Sequence, residues 1–362
     1  MNPFIPTPDA LPIPAPAPLF TYLLHLVFVV HLLTMNFLLG GGLMMVMAMI
    51  RRQHAGDDHD RFLARLTKLM PTLVSATVST GVAPLLFMQV LYGNFFYTSS
   101  IIMAWPWFSL VLVLIAAYYL LYINSFKADT IGRARPLVVG TAVAILLFIA
   151  FLNTNNTTLM LTPERWAGMY FKAPGGTSFN LTEPMLWPRY LHMVLGALAI
   201  AGLWTAWLGR WENNDAALSK FMTQHGLSVF AVGTMVNVIG GVGYLFGLKR
   251  DVRMLLMGDD PHLTGLMGAG IVLTMVMIIL AFRSRARQGA GLGLLSGVTV
   301  VTMVDMVLMR HGVRDAYLVG AYQPETFAVQ SQWLNIAIFG VLLVGGIATI
   351  VWMVRKLLAP PA

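Results

Sequence analysis

The sequence contains no cysteine among its 362 residues. This absence excludes disulfides, covalently attached c-type haem and iron–sulfur clusters held by cysteine within the chain. Charged residues are also scarce, at 10% of the sequence, whereas 57% is hydrophobic. This composition is typical of an integral membrane protein, and any redox centre within the chain has to be held by histidine, methionine or carboxylate.

The apolar residues fall in runs of about 20 or more, which is long enough to cross the hydrocarbon core as helices. Short alternating strands, as in a membrane β-barrel, are not present. The runs predict an all-α, polytopic membrane bundle of about nine transmembrane helices. The predicted spans are approximately 19–49, 67–92, 99–125, 136–155, 188–210, 222–247, 263–283, 291–311 and 333–355.

The basic residues predict the orientation of the bundle, because Lys and Arg near short loops are retained on the cytoplasmic side. Such residues follow the first, third, fifth and seventh spans, for example Arg51, Lys127, Arg210 and Arg283. We therefore predict an extracytoplasmic N-terminus, a cytoplasmic C-terminus and an outer loop at 92–97. The formal charge of +8 is assigned mainly to the inner surface, where anionic lipid attracts it. It gives no support for nucleic acid binding.

No soluble domain interrupts the spans, since the longest predicted loop is about 156–187. We predict a single integral membrane domain over residues 1–362, with a Pro-rich extracytoplasmic arm at 1–18. The expected location is the bacterial inner membrane, with multiple passes. Glycine clusters at 40–42, 240–241 and 345–346 indicate close helix packing.

Polar residues within spans carry the candidate chemistry, because each costs free energy in lipid. His192 and Met267 lie about five residues from the outer ends of the fifth and seventh spans. An imidazole and a thioether at one depth are suited to hold a low-spin haem iron between them. Simple packing is the alternative for Met267, since 24 methionines are spread along the chain. His54 and His59 lie in a charged inner loop and are interpreted as solvated.

The order of these features resembles subunit I of the cytochrome bd quinol oxidase family, over nearly the whole chain. The first matching stretch surrounds His25, and the last ends the eighth span at Arg310-His311-Gly312. The other matching stretches are Ser79-Thr80-Gly81-Val82, Gln89-Val90-Leu91-Tyr92-Gly93, Tyr190-Leu191-His192 and Leu266-Met267-Gly268-Ala269-Gly270.

The resemblance implies specific ligands. His192 and Met267 correspond to the axial ligands of the low-spin b haem that accepts electrons from quinol. His25 corresponds to the ligand of a haem at the oxygen-reducing site. The family's haem-ligating glutamate in the eighth span is replaced by Met303 in the ungapped alignment, with Asp305 as the other nearby position. Met303 opposite His25 would make the second haem six-coordinate and purely electron-transferring.

This chain also departs from the family pattern. Residues 104–122 contain no acid, although the family carries glutamates in its third span. The long quinol-binding loop is reduced to 249–261. We therefore expect a divergent member that lacks the usual quinol site and the oxygen-site glutamates.

Further candidates lie near the predicted outer surface. Arg310 and His311 are expected to hold haem propionates, and Arg165, Arg189 and Arg314 are similar candidates. His31 is interpreted either as a cofactor contact, to a different haem, a propionate or quinol, or as a helix-packing histidine. Asp305 is either a proton acceptor or tuning charge, or an acid hydrogen-bonded within the bundle. The set Asn153, Asn155 and Asn156 indicates a polar pocket.

The leading functional hypothesis is a haem b subunit, with two or more haems, of a quinol-oxidising electron-transfer complex. It would pass electrons from the quinone pool to other redox subunits or a periplasmic electron carrier, and no catalytic residue is assigned. A divergent quinol oxidase that reduces dioxygen is the first alternative. A haem-free membrane anchor or transporter is the second.

Overall fold

The structure is a computed structural model that describes residues 12–51 and 57–358. Within those residues the chain is helical, apart from connecting segments and one isolated bridge between Ile13 and Val329. The helices are α1 (Ala17–Arg51), α2 (Asp57–Ile102), α3 (Ala104–Phe126), α4 (Ala128–Ile131), α5 (Arg135–Met160), α6 (Trp166–Lys172), α7 (Leu186–Trp211), α8 (Ala216–Gly247), α9 (Arg250–Met254), α10 (Pro261–Ala286), α11 (Leu292–Tyr317) and α12 (Trp333–Leu358).

Nine helical segments of the described residues are long and apolar enough to cross a membrane. They are α1, α2, α3, α4 together with α5, α7, α8, α10, α11 and α12. A helix satisfies its own backbone hydrogen bonds, which is what a chain in hydrocarbon requires. The predicted all-α multi-pass architecture is therefore confirmed, whereas its orientation stays a prediction.

The predicted outer loop at 92–97 was wrong. The helix kinks at Tyr92, where φ is −122° and ψ is 30°, and then continues as α2 to Ile102. Phe95 and Phe96 beyond the kink are buried in the hydrophobic core. Their aromatic side chains pack inward rather than toward solvent. Helix α2 therefore extends to Ile102, and α3 begins at Ala104.

The Pro-rich arm is described from residue 12 onward, because residues 1–11 lie outside the described ranges. His54 in the loop after α1 also lies outside them. The backbone N–H of Ile13 donates to the carbonyl of Ala328 at 2.8 Å. In return, the N–H groups of Gln330 and Gln332 donate to the carbonyls of Ile13 and Pro14 at 2.9 and 2.8 Å. The arm is therefore fastened to the connection between α11 and α12.

Helices α7 and α8 form the most extensive interface of the bundle, and glycine allows their backbones to touch. A Cβ atom added to Gly202 would lie 2.5 Å from the backbone nitrogen of Phe230, and one added to Gly226 would lie 2.5 Å from the carbonyl oxygen of Gly202. Small residues permit such close approach in membranes.

The glycine clusters singled out from the sequence behave differently from one another. A Cβ on Gly40 would lie 2.6 Å from the carbonyl carbon of Ala197, and one on Gly240 would lie 3.2 Å from His192 Cα. Gly345 and Gly346 meet nothing within 4 Å. Close packing is thus confirmed for the first two clusters. For the third it stays a prediction, because α12 has no buried residue in its membrane-spanning window within the described residues.

We expect Gly226→Ala to lower the free energy of unfolding by about 1–3 kcal/mol, because the added methyl overpacks a backbone contact. The measurement is the thermal unfolding midpoint in detergent. Gly268→Ala on α10 is the control, since nothing lies within 4 Å of its Cβ position. Equal midpoints for the two variants would contradict the close contact of α7 and α8.

Candidate functional site

A cavity of about 140 Å³ lies at the predicted outer end of the bundle, between α1, α2, α3, α5, α7 and α11. Its volume is several times that needed for one water molecule. Apolar side chains such as Leu24, Phe28 and Val307 form part of its wall. The polar lining residues are His25, His31, Asn153, Asn156, Thr157, Arg189, Arg310 and Arg314. The cavity thus concentrates imidazole and guanidinium groups within an otherwise apolar bundle.

Two histidines from different helices meet beside this cavity. The ring centroids of His25 on α1 and His311 on α11 are 4.8 Å apart in an edge-to-face arrangement. His311 is held by two neighbours, since Arg314 donates to its Nδ1 at 3.2 Å and its Nε2 lies 3.3 Å from the carboxylate of Asp315. The Nε2 atom of His25 is buried and has no hydrogen-bond partner. His25 therefore offers a free nitrogen donor.

His31 lines the cavity one and a half turns further along α1. Its Nδ1 lies 3.5 Å from Thr80 Oγ1, which is itself 2.8 Å from Thr34 Oγ1. A Cβ atom on Gly81 would lie only 2.8 Å from His31 Cε1, so the glycine makes room for the ring. Pro84 also lines the cavity and cannot donate a backbone hydrogen bond to the preceding turn of α2.

Three arginines reach the cavity without a carboxylate partner. Arg310 lies 4.5 Å from the Phe28 ring centroid, and Arg314 lies 4.3 Å from that of Tyr92. Arg189 donates to the Tyr244 hydroxyl at 3.4 Å. The ion pairs among the described residues involve other cations. The arginines therefore create a positive site suited to carboxylate or another anion.

Arg314 is the most constrained of the three. It is 7% exposed, and its Nε is buried without a partner. One of its other nitrogens donates to the sulfur of Met88 at 3.6 Å, which is a weak acceptor. A buried cation in such surroundings is costly unless a ligand compensates its charge.

The His192 side chain lies on the interface between α7 and α8, away from this cavity's lining. Its Nδ1 is 3.3 Å from the carbonyl oxygen of Asn237, and only a protonated nitrogen can donate to a carbonyl. Nε2 of the neutral ring is then left as an acceptor, the form in which histidine ligates metals. A Cβ on Gly241 would lie 3.3 Å from His192 Cε1, so this glycine also makes room for an imidazole.

Met267 lies half-buried on α10 and packs against the hydrophobic cluster that includes Tyr244. Both α7 and α10 contact α8, which is their shared neighbour. The placement of Met267 and His192 as a ligand pair stays a prediction.

Met303 is buried on α11, one helical turn before Val307 and on the helix face that carries Arg310. It does not line the cavity. Asp305 is buried against α10, where its Oδ2 has no partner and lies 2.8 Å from the Cβ position of Gly270. Within the described ranges, no three His, Asp or Glu side chains converge to hold a bare metal ion.

The structure separates the remaining candidates. Asn153 and Asn156 line the cavity, whereas Asn155 is buried and accepts the backbone N–H of Asn180 at 2.8 Å. Arg165 pairs with Glu183 at 3.1 Å and does not line the cavity.

Trp107 on α3 is a cavity residue that the sequence analysis did not identify, and it lines the cavity whereas Trp105 is 66% exposed. The helical period distinguishes the two tryptophans, because residues two apart point to different sides of a helix. Gly81 and Met88 carried no signal of their own for the cavity, since each depends on a neighbouring helix.

Arg314→Met is expected to leave the free energy of unfolding unchanged or to raise it, in protein freed of bound small molecules. The reason is that an apolar side chain of similar size removes a buried charge that forms no ion pair among the described residues. Thermal unfolding in detergent measures this. Arg165→Met is the control, which should lower the stability by about 1–3 kcal/mol because Glu183 loses its partner. A comparable loss in Arg314→Met would assign that arginine a structural role.

Comparison with solved structures identifies a similar fold. The chain matches a structure described as bd oxidase from Geobacillus thermodenitrificans with a TM-score of 0.70 and 13% sequence identity, over 96% of this chain and 100% of that chain. No family model and no curated protein matches the sequence. The chain is therefore a multi-pass membrane protein with the fold of a bd oxidase.

Proposed function

We propose that the chain is a haem b subunit of a membrane complex that oxidises quinol and passes the electrons to a redox partner at the outer face. One observation carries this proposal. The cavity combines a buried imidazole nitrogen that has no partner with arginines that have no carboxylate. A single ligand that carries both a metal and carboxylates would satisfy both groups, and haem is such a ligand.

The residues present fit haem b. His25 would provide an axial nitrogen, and Arg189, Arg310 and Arg314 would bind the propionates. His311 is held in place by Arg314 and Asp315, so it would orient the ring of His25 through their contact. Leu24, Phe28 and Val307 would exclude water from the macrocycle. When bound, the iron would cycle between ferric and ferrous states and so carry one electron.

We propose that His192 and Met267 would hold the second haem. The hydrogen bond from His192 Nδ1 to the Asn237 carbonyl supports this assignment, because such a bond orients the ring and leaves Nε2 for the metal. A thioether as the opposite ligand raises the reduction potential, as in other His/Met cytochromes.

The quinone would bind near the same end of the bundle. Asn153 and Asn156 line the cavity, and their amide oxygens would accept hydrogen bonds from the hydroxyl groups of a quinol. Their amide N–H groups already donate to the Ile149 carbonyl and the Ser100 hydroxyl. In the proposed orientation this end faces the periplasm, where a soluble electron carrier or another subunit would accept the electrons. The proposed location is the bacterial inner membrane.

Dioxygen reduction is the second candidate function. Met303 does not line the cavity that His25 lines, which favours a haem with an open coordination position. The matched structure is also described as an oxidase. Against this candidate, the third span contains no acid that could supply protons.

We expect a pyridine haemochrome assay to find about two b haems per chain and about one in each of His25→Ala and His192→Ala. His262→Ala is the matched control, because His262 is exposed at the start of α10, and it should retain both. Absence of haem from the parent protein would overturn the proposal in favour of a membrane anchor or transporter.

Carbon monoxide separates electron transfer from dioxygen reduction, because only a vacant coordination position on ferrous haem binds the gas. The electron-transfer proposal takes Met303 as the second ligand of the His25 haem, so we expect the visible spectrum of the dithionite-reduced protein to stay unchanged when carbon monoxide is added. A shifted Soret band in the parent that is lost in His25→Ala would instead assign dioxygen reduction to this cavity.

A further inference from the structure

A second concave site lies at the opposite end of the bundle, where α10 ends and α11 begins. It is a groove of about 210 Å³ lined from α10 by Leu280, Arg283, Ser284 and Arg287, and from the following turn and α11 by Ala290, Gly291 and Leu294. Gln288, Gly289 and Gly291 adopt positive φ values of 52°, 90° and 86°. This tight turn brings the start of α11 beside the last turns of α10.

The groove is positive and has no acidic neighbour along its own chain segment. Arg283 and Arg287 are both exposed and are four residues apart, so they lie on one face of α10. No Asp or Glu occurs from residue 261 to residue 304. The ion pairs of the described residues include neither arginine. Both guanidinium groups are therefore available to an anion.

The first turn of α11 adds hydrogen-bond donors to the same groove. Gly291 occupies the N-cap position and has no side chain that could accept a hydrogen bond from this turn. The amide of Leu292 already donates to the carbonyl of Gly289 at 3.2 Å. The following amides of this turn, those of Gly293 and Leu294, are the ones that have no acceptor within the helix and favour an anion at that end. Gly293 has open space beside it, so an anion can approach these amides.

The remaining walls are apolar and lie at the membrane surface. Leu280 and Leu294 line the groove below the arginines, and Leu294 is 62% exposed. Both α10 and α11 are membrane-spanning, so their junction lies at the boundary between hydrocarbon and headgroups. A ligand of this groove thus meets cations at one end and an apolar surface at the other.

We propose that the groove is a binding site for an anionic phospholipid, whose phosphate lies between Arg283 and Arg287 and whose acyl chain covers Leu280 and Leu294. Arginine binds phosphate through two parallel hydrogen bonds, and basic pockets between transmembrane helices bind anionic headgroups. Free phosphate shares the headgroup chemistry but leaves the apolar wall uncovered. The lipid is therefore the ligand that matches both parts of the groove.

The test measures binding of palmitoyl-oleoyl-phosphatidylglycerol to the full chain in mild detergent, by native mass spectrometry. Arg283→Gln and Arg287→Gln are each expected to weaken binding by about tenfold, because each removes one charge-assisted contact. Arg285→Gln is the matched control. It removes the same charge from the same turn, yet Arg285 does not line the groove, and it should bind like the parent protein.

Three outcomes would overturn the site. An equal loss in Arg285→Gln would show that general surface charge attracts the lipid. Equal binding of palmitoyl-oleoyl-phosphatidylcholine would show that the negative charge of the lipid is not recognised. Competition by millimolar inorganic phosphate as effective as that by the lipid would identify a free-anion site. All three arginines are exposed, so the variants are expected to keep the parent unfolding midpoint, which is measured alongside.

Discussion

Hydrocarbon offers neither a hydrogen-bond partner nor a counterion, and this constraint organises the polar residues of the bundle. Most buried threonines satisfy it locally, as Thr205 and Thr234 do by donating to the carbonyl four residues earlier in their own helices. His25 and Arg314 cannot do this, and each keeps a buried nitrogen without a partner. Their convergence on one cavity is the observation that supports the proposed ligand site.

The close contact of α7 and α8 links the fold to the second proposed haem site. Glycine at positions 202 and 226 lets the two backbones touch, and further along the same interface Gly240 and Gly241 accommodate His192. The carbonyl of Asn237 on α8 then selects the tautomer of the imidazole on α7. The packing of backbone against backbone thus determines which nitrogen of His192 is available as a ligand.

Arginine has different roles at the two ends of the bundle, and burial decides between them. Arg314 is enclosed between α2 and α11, where its uncompensated charge is costly unless an anion occupies the cavity. Arg283 and Arg287 stay exposed at a helix end, where water and lipid headgroups solvate them at little cost. The first arrangement favours a tightly held cofactor, and the second favours an exchangeable lipid.

The sequence by itself determined the class of the protein and the number of its spans, because hydrophobic runs and their lengths are local properties. It also indicated His25, His31 and Arg310, since a polar residue within an apolar run stands out without any knowledge of its neighbours. Only the tertiary structure decided which of these meet. His25 and His311 are 286 positions apart and touch because α1 packs on α11. On the same helix, Met303 lies on the face of Arg310 without lining the cavity, and Asp305 faces α10. The sequence predicted an outer loop at Phe95 and Phe96, whereas in the structure both side chains are buried and belong to α2. Contacts between distant segments depend on the relative rotation and position of whole helices, which no local pattern of residues encodes.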